Sequence, residues 1–288
     1  MRHPYTLLDV FTDRPLAGNG LAVVHEADGV DDGVMLAFAR ETRLMETTFV
    51  QTPTAPGADY RNRIWTIGEE VPFAGHPSLG TAVAVALARG EEEVVYRQQT
   101  QAGVQPVTVS RSGDRARASV LQEPAVAGAE LDPAAVMAAA GLRPDDAHPS
   151  LAPQIVSTGL PALIAPVADA GALARARPVH DAIGALEERS FNYYLCWVDP
   201  DAGTARARSF ARFQAEGEDP ATGSAAGPLM AYVHERLGLD RLEVAQGVEM
   251  GRPSRLLASM EDGRARVGGD VVVLVTGVLR LPKGDSPL

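Results

Sequence analysis

The feature that most constrains this chain is a long-period repeat. Residues 69–90, EEVPFAGHPSLGTAVAVALARG, and residues 216–238, EGEDPATGSAAGPLMAYVHERLG, carry the same parts in the same order. Each has an acidic turn, a proline, a glycine, a run of small residues with helical character and a terminating glycine. Aligning Gly75 with Gly223 sets the copies 148 positions apart, about half of the 288 residues. Within the first copy, Thr81–Ala88 (TAVAVALA) has no charge on any side. A surface helix shows a polar face, so this one is expected to be buried all round. Its small side chains let neighbouring elements approach closely. The simplest architecture is two similar domains, each an antiparallel sheet wrapped around one buried helix.

The rest of the chain reads mainly as strands. Tyr5–Phe11 and Leu21–His25 are apolar, β-rich runs separated by the turn-forming DRPLAGNG. Asp31 or Asp32 is placed to cap a helix over Gly33–Thr42. Strands are expected at Met45–Gln51, Arg63–Thr66, Val94–Arg97, Gln105–Ser110 and Ala116–Leu121. Pro77 suits the start of the first repeat helix, Pro77–Arg89, and Gly90 its stop. Residues 122–130 read as a linker. A helix from Asp132-Pro133 to Ala140 follows, then strands at Gln154–Ser157 and Ala162–Pro166, a short helix at Asp181–Glu188, and strands at Phe191–Val198 and Arg206–Phe213. The second repeat helix spans Ala221–Leu237. Strands at Arg241–Gln246, Arg255–Met260 and Val271–Leu279 close the chain. The expected division assigns residues 1–122 with the final strand, 276–288, to one domain and residues 123–275 to the other.

Composition removes several classes of function. Hydrophobic residues make up 45% and charged residues 22%, enough apolar material for a core and too little charge for disorder. The net charge of −11 argues against nucleic acid or an anionic membrane surface as the main partner. The single cysteine, Cys196, excludes an internal disulfide, a cysteine-based metal cluster and two-thiol chemistry. It lies in FNYYLCWV, which reads as a core strand. The start, MRHPYTLLDVFTDR, has no signal-like apolar run, and no stretch approaches the ~18 apolar residues of a membrane span. The expectation is a soluble, cytoplasmic protein.

The chemistry-bearing residues gather at the two helix starts. Unpaired backbone N–H groups and the helix dipole favour an anion there, by about 0.3–1 kcal/mol each. A small carboxylate-bearing molecule is the natural guest of such a pair facing one cleft, although Gly75 and Gly223 could equally serve tight strand-to-helix turns. His76 sits at the first start, where the dipole favours its neutral form. Asp219 precedes Pro220 and Thr222-Gly223-Ser224, and reads either as an N-cap or as an acid in the site. Ser224 lacks a G-x-S-x-G elbow, which disfavours a serine hydrolase. Glu46 stands in the apolar, threonine-rich METTFV. It is either a strand-edge carboxylate in water or a general acid/base whose pKa an apolar cleft raises.

Taken together, LDVFTDRPLAGN, METTFV, FAGHPSLGTA, EDPATGSAAG and QGVEMGRPS, in this order, resemble the PhzF-like family of phenazine-biosynthesis isomerases over nearly the whole chain. The resemblance implies an α+β, diaminopimelate epimerase-like fold: two pseudo-symmetric domains, each a barrel-like, mostly antiparallel sheet around a central helix. It also implies a homodimer and no cofactor, and one acid/base that gives back the proton it takes is expected to need no metal. In the characterised phenazine branch a glutamate moves a proton between carbons of trans-2,3-dihydro-3-hydroxyanthranilate. By motif position that glutamate matches Glu46, and the family's histidine, aspartate and serine match His76, Asp219 and Ser224. The resemblance gives Glu46, His76 and Asp219 catalytic roles, and gives Gly75, Gly223 and Ser224 the substrate carboxylate. One departure is Gly20, where the family usually has proline after the asparagine. Two other readings remain: a ligand-binding or regulatory protein on the same fold, and an epimerase that works without cysteines.

Overall fold

A computed structural model describes residues 1–187, 192–210 and 217–282. In chain order the strands and helices are β1 (Arg2–Val10), β2 (Asn19–Val24), α1 (Asp32–Thr42), β3 (Glu46–Gln51), β4 (Tyr60–Trp65), β5 (Glu70–Val71), α2 (Gly75–Arg89), β6 (Glu93–Thr100), β7 (Gly103–Ser112), β8 (Arg115–Pro124), β9 (Val126–Glu130), α3 (Pro133–Ala139), β10 (Gln154–Ser157), β11 (Pro161–Pro166), α4 (Ala170–Arg175), α5 (His180–Glu187), β12 (Asn192–Asp199), β13 (Thr204–Phe210), α6 (Gly223–Leu237), β14 (Arg241–Gln246), β15 (Ser254–Glu261) and β16 (Arg264–Arg280). The chain divides into two compact units, residues 1–120 with 268–288, and residues 121–267. The return to the first unit falls at Gly268, ahead of the expected 276, because β16 is one uninterrupted strand of 17 residues.

In the first unit the strand order is β1-β2-β3-β4-β6-β7-β8-β16, and β1 also pairs with β16, so the sheet closes into an eight-stranded barrel. In the second unit the order runs β9-β10-β11-β12-β13-β14-β15-β16. Starting from β1, five successive pairings alternate antiparallel, parallel, antiparallel, parallel, antiparallel. Starting from β10, the same five recur in the same order. A parallel pair needs a crossover, and a helix is the usual one. Here α2 carries the chain from β4 to β6, and α6 carries it from β13 to β14. The repeat seen in sequence is therefore a repeat of topology: the expected sheets around central helices hold, but each contains two parallel pairs, joined by crossovers, where the repeat alone predicts an antiparallel sheet.

Both helices have 15 residues and both stop at a left-handed glycine, Gly90 (φ 72°) and Gly238 (φ 70°). Residues 75–86 of α2 are all buried, which explains the missing polar face. Its closest approach is at Gly80, where a Cβ would stand 2.6 Å from Leu21 Cδ2 and 2.8 Å from Leu8 Cδ1. Both helices begin differently from the sequence expectation: α2 at Gly75 rather than Pro77, and α6 at Gly223 rather than Ala221. Pro77 is then the third helical residue, still within the turn whose N–H groups have no intrahelical acceptor.

A paired clamp holds the turn before each helix. Arg63 on β4 grips Glu70 bidentately, with Nε to Oε1 at 2.8 Å and a second bond at 2.5 Å, and stacks on Trp65 at 5.4 Å. Arg208 on β13 grips Glu218 in the same way, at 2.8 and 2.7 Å, and stacks on Phe210 at 5.0 Å. Each glutamate lies five residues before its helix's first glycine.

Several sequence expectations need correction. Residues 126–130, read as linker, form β9, paired antiparallel to β10. All five of its residues are exposed, and VAGAE carries one β-branched side chain, so neither alternation nor propensity marks it. The helix α4 and the two-residue β5 had no expected counterpart. The first residue of the strand expected at 191–198, the last of the helix expected at 181–188 and residues 211–213 of the strand expected at 206–213 lie outside the described residues.

Candidate active site

In the first unit, α1 ends at the left-handed Arg43 (φ 53°) and the chain enters β3 at Glu46, beside Leu21 of β2 in parallel register. Thr47, Thr48 and Phe49 behind it are buried. The Glu46 side chain keeps 18% of its exposure, and its Oε2 lies 3.4 Å from Nε2 of His76, the second residue of α2. Glu46 is thus neither a solvated edge carboxylate nor a core residue.

His76 is 4% exposed, and burial pushes its imidazole down from 6.5 to about 3. The ring is neutral at ordinary pH, so the 3.4 Å approach is not an ion pair. Asn19, at the start of β2 and 1% exposed, sets its tautomer: Nδ2 faces His76 Nδ1 at 3.2 Å. With the amide nitrogen donating, Nδ1 accepts, and the ring proton resides on Nε2, facing Glu46.

In the second unit, Asp219 is 7% exposed and stands three residues ahead of Thr222, the residue capping α6. It is not the N-cap. Its backbone N–H donates to Ser209 O at 3.0 Å, and its Oδ2 accepts from the Thr222 hydroxyl at 2.6 Å. Gln246, at the end of β14 and fully buried, clasps this turn from below. Its Nε2 donates to Asp219 O at 2.8 Å and to Thr222 Oγ1 at 2.9 Å, while its Oε1 accepts from Thr222 N at 3.1 Å and from Tyr194 OH at 2.8 Å. The next residue, Gly247, has φ 72°, and a Cβ there would meet Pro220 O at 2.7 Å. Gln122 holds the helix itself, donating to Gly223 O at 2.9 Å, and Gly227 leaves room for it, since a Cβ at 227 would fall 1.8 Å from Gln122 Oε1.

The expected site residues therefore fall into two groups, one per unit: Glu46, Gly75 and His76 in the first, Asp219, Gly223 and Ser224 in the second. Gly75 and Gly223 are each the first helical residue, and His76 and Ser224 each the second. The N–H groups of these first turns have no acceptor within their own helix. Asn19, Thr222 and Gln246 were not singled out as site residues. Asn19 falls in the turn DRPLAGNG and Gln246 at the end of an expected strand, and both lie in the family-like motifs, but sequence gives no sign of which buried group an amide will serve. Cys196 is fully buried in β12, and burial pushes its thiol up to about 12, so it is inert. Among the described residues no group of three or more His, Cys, Asp or Glu side chains is disposed to hold a metal, and no helix is long and apolar enough to cross a membrane.

Residues 8–277 match the family model described as phenazine biosynthesis-like protein, PhzC-PhzF. A protein of Mesorhizobium japonicum named an uncharacterized isomerase is 37% identical, covering 96% of this chain and 98% of the relative. The trans-2,3-dihydro-3-hydroxyanthranilate isomerase of Pseudomonas aeruginosa is 34% identical over 92% of this chain and 93% of its own. The solved structure of an epimerase-described protein from Pseudomonas aeruginosa superposes with a TM-score of 0.84 at 38% identity, covering 96% of this chain and 99% of the other. With the repeated barrel topology and the helix-start residues already in place, these matches settle the lineage: the chain belongs to the PhzC-PhzF family of phenazine biosynthesis-like proteins and is an isomerase of that family.

Proposed function

We propose that this isomerase moves a proton between two carbons of a small carboxylate of the trans-2,3-dihydro-3-hydroxyanthranilate type, with Glu46 as the group that takes the proton and returns it. The observation that carries the reading is the Asn19–His76–Glu46 cluster: a buried neutral imidazole whose Nε2 lies 3.4 Å from a half-buried carboxyl. Such an arrangement holds a carboxylate in one orientation without fixing its protonation by a neighbouring full charge. The carboxylate removes a proton from one substrate carbon, the electron pair delocalises toward the conjugated acid, and the same proton is delivered to a second carbon. Atoms and charge balance with no oxidant or reductant. The neutral His76 and the carboxyl of Asp219 orient polar substituents, and the first-turn N–H groups of Gly75, Gly223 and Ser224, with the Ser224 hydroxyl, receive the substrate carboxylate. The substrate class is taken from the Pseudomonas relatives. We further propose a homodimer, as the family resemblance implies, and a cytoplasmic location; light scattering on the purified protein and cell fractionation test these.

The test follows the ultraviolet spectrum and the proton NMR of that substrate in deuterated buffer with wild type and Glu46→Gln. Wild type should consume it with a proton relocated to carbon, and Glu46→Gln should slow this by about 10²–10⁴-fold, the range of a lost general acid/base. Equal rates for the two proteins would remove Glu46 from the chemistry. Inertness of both would remove this substrate.

A further inference from the structure

The hydrogen bonds around Asp219 have only one consistent direction. Thr222 N is a donor and nothing else, so the Gln246 atom 3.1 Å from it is the amide oxygen. The carbonyl oxygen of Asp219 is an acceptor and nothing else, so the atom 2.8 Å from it is the amide nitrogen. Two backbone groups thus fix the orientation of the Gln246 amide. Its second N–H then points into Thr222 Oγ1 at 2.9 Å. A hydroxyl that receives an N–H on its oxygen turns its own hydrogen elsewhere, and Asp219 Oδ2 waits at 2.6 Å. The relay runs from the Gln246 amide through the Thr222 hydroxyl to Asp219 Oδ2, entirely among buried residues.

We infer that Thr222 is a positioning residue that commits Oδ2 of Asp219 to accepting a hydrogen bond and so holds the side chain in one orientation as a carboxylate. The inference rests on the reading of Asp219 as a group that faces substrate. A protonated Oδ2 would set its hydrogen against the incoming Thr222 O–H, while Oδ1 accepts a longer hydrogen bond from Ala221 N at 3.5 Å. The Asp219 carboxylate is thereby favoured over its acid. Among the described residues, the titratable or charged groups around this turn include Tyr194 from β12, His180 from α5 against Gly217, and Glu218 in the turn itself with Arg208 from β13 closed onto it. The first turn of α6 adds no acidic residue. Tyr194 is locked as a donor to Gln246, and burial holds its phenol well above the usual range, so it remains neutral. Glu218 is neutralised by its guanidinium.

The decisive measurement is a 13C NMR titration of the Asp219 carboxyl, assigned with Asp219→Asn, in wild type, Thr222→Val and Thr222→Ser. Losing a hydrogen bond to a carboxylate should move the Asp219 midpoint upward by about one to two pH units in Thr222→Val. Thr222→Ser, which keeps the hydroxyl, should titrate as wild type. Identical midpoints for wild type and Thr222→Val overturn the inference, and so does a Thr222→Ser that behaves like Thr222→Val. Folding is checked by circular dichroism. Should Thr222→Val not fold, the unmodified protein still decides: its Thr222 hydroxyl proton should be slow to exchange and coupled across the hydrogen bond to Asp219 13Cγ, and absence of that coupling overturns the assignment. None of these readouts needs turnover. An inactive wild type with the expected titration would discard the proposed substrate and leave the relay standing.

Discussion

His76 and His25 show how single side chains write a pH dependence into stability. Burial pushes His76 down to about 3, and His25, bonded to the Thr6 hydroxyl at 3.0 Å, down to about 4. Both values lie below the ordinary 6.5, so the unfolded chain binds protons that the folded one refuses. The sign follows: above pH 6.5 neither residue matters, and as pH falls below it stability drops by about 1.4 kcal/mol per pH unit for each histidine. Partial burial lowers His148 as well and works in the same direction. The depressed carboxyls of Asp32 and Glu243 lose their stabilisation only below their own ordinary range near 4, so the interval from pH 6.5 to 4.5 isolates the histidines. His25→Asn should take about 1.4 kcal/mol per pH unit off the slope of unfolding free energy in that interval. Urea melts at closely spaced pH values measure it, and an unchanged slope would show that His25 is not held neutral. Within the site, the same burial keeps His76 uncharged through the range in which the enzyme would be assayed. The pH profile of turnover should therefore carry no limb from His76.

At the level of elements, the central helices are held from two sides, by apolar packing along their length and by polar clamps at their first turns. The Arg208–Glu218 pair is the clamp of α6, with side chains 6% and 13% exposed. Removing one partner leaves a poorly solvated charge unpaired, which costs about 3–5 kcal/mol, whereas replacing both with apolar residues of similar size recovers much of it. Arg208→Met should lower the urea midpoint accordingly and Arg208→Met with Glu218→Leu should regain most of the loss. A single mutant as stable as wild type would mean that the clamp is ornamental. These elements also show what sequence can carry. The charge-free TAVAVALA announces a buried helix because a surface helix cannot lack a polar face, and the glycines at 90 and 238 announce where the two helices end. The carboxyl and imidazole of the candidate site stand out in sequence because each sits where its type is out of place, Glu46 in an apolar strand and His76 at a helix start. The clamps do not, since an arginine on one strand and a glutamate seven or ten residues later look like ordinary surface charge until the chain folds them together. Gln246 was hidden for the same reason: its bonds reach Tyr194, Asp219 and Thr222, and no local pattern joins those positions.

On the scale of the whole molecule, the two units are topological copies with unequal claims on the chain. The second occupies one continuous stretch, residues 121–267, and the first is assembled from both ends, residues 1–120 and 268–288. Its barrel closes only when β16 takes its place against β1, pairing Leu7 with Val275 and Val10 with Val271. That contact joins residues more than 260 positions apart in sequence, and closing so long a loop carries an entropic cost that the short hairpins of the second unit avoid. A chain ending at residue 267 keeps every residue of the second unit but leaves β1 paired on one side only, to β2, with the buried Leu8 and Val10 beside an open edge. Open edges with apolar inner faces pair with other chains. The truncated protein should therefore aggregate or lose the ordered signals of the first unit, the Asn19–His76–Glu46 cluster among them. Adding residues 268–288 back as a separate peptide should restore part of that order. Amide hydrogen exchange resolves the two units: β2 and β3 should lose protection on truncation, and β11 through β14 should keep theirs. A truncated chain that protects β2 and β3 as the full chain does would show that the barrel does not depend on its last stave.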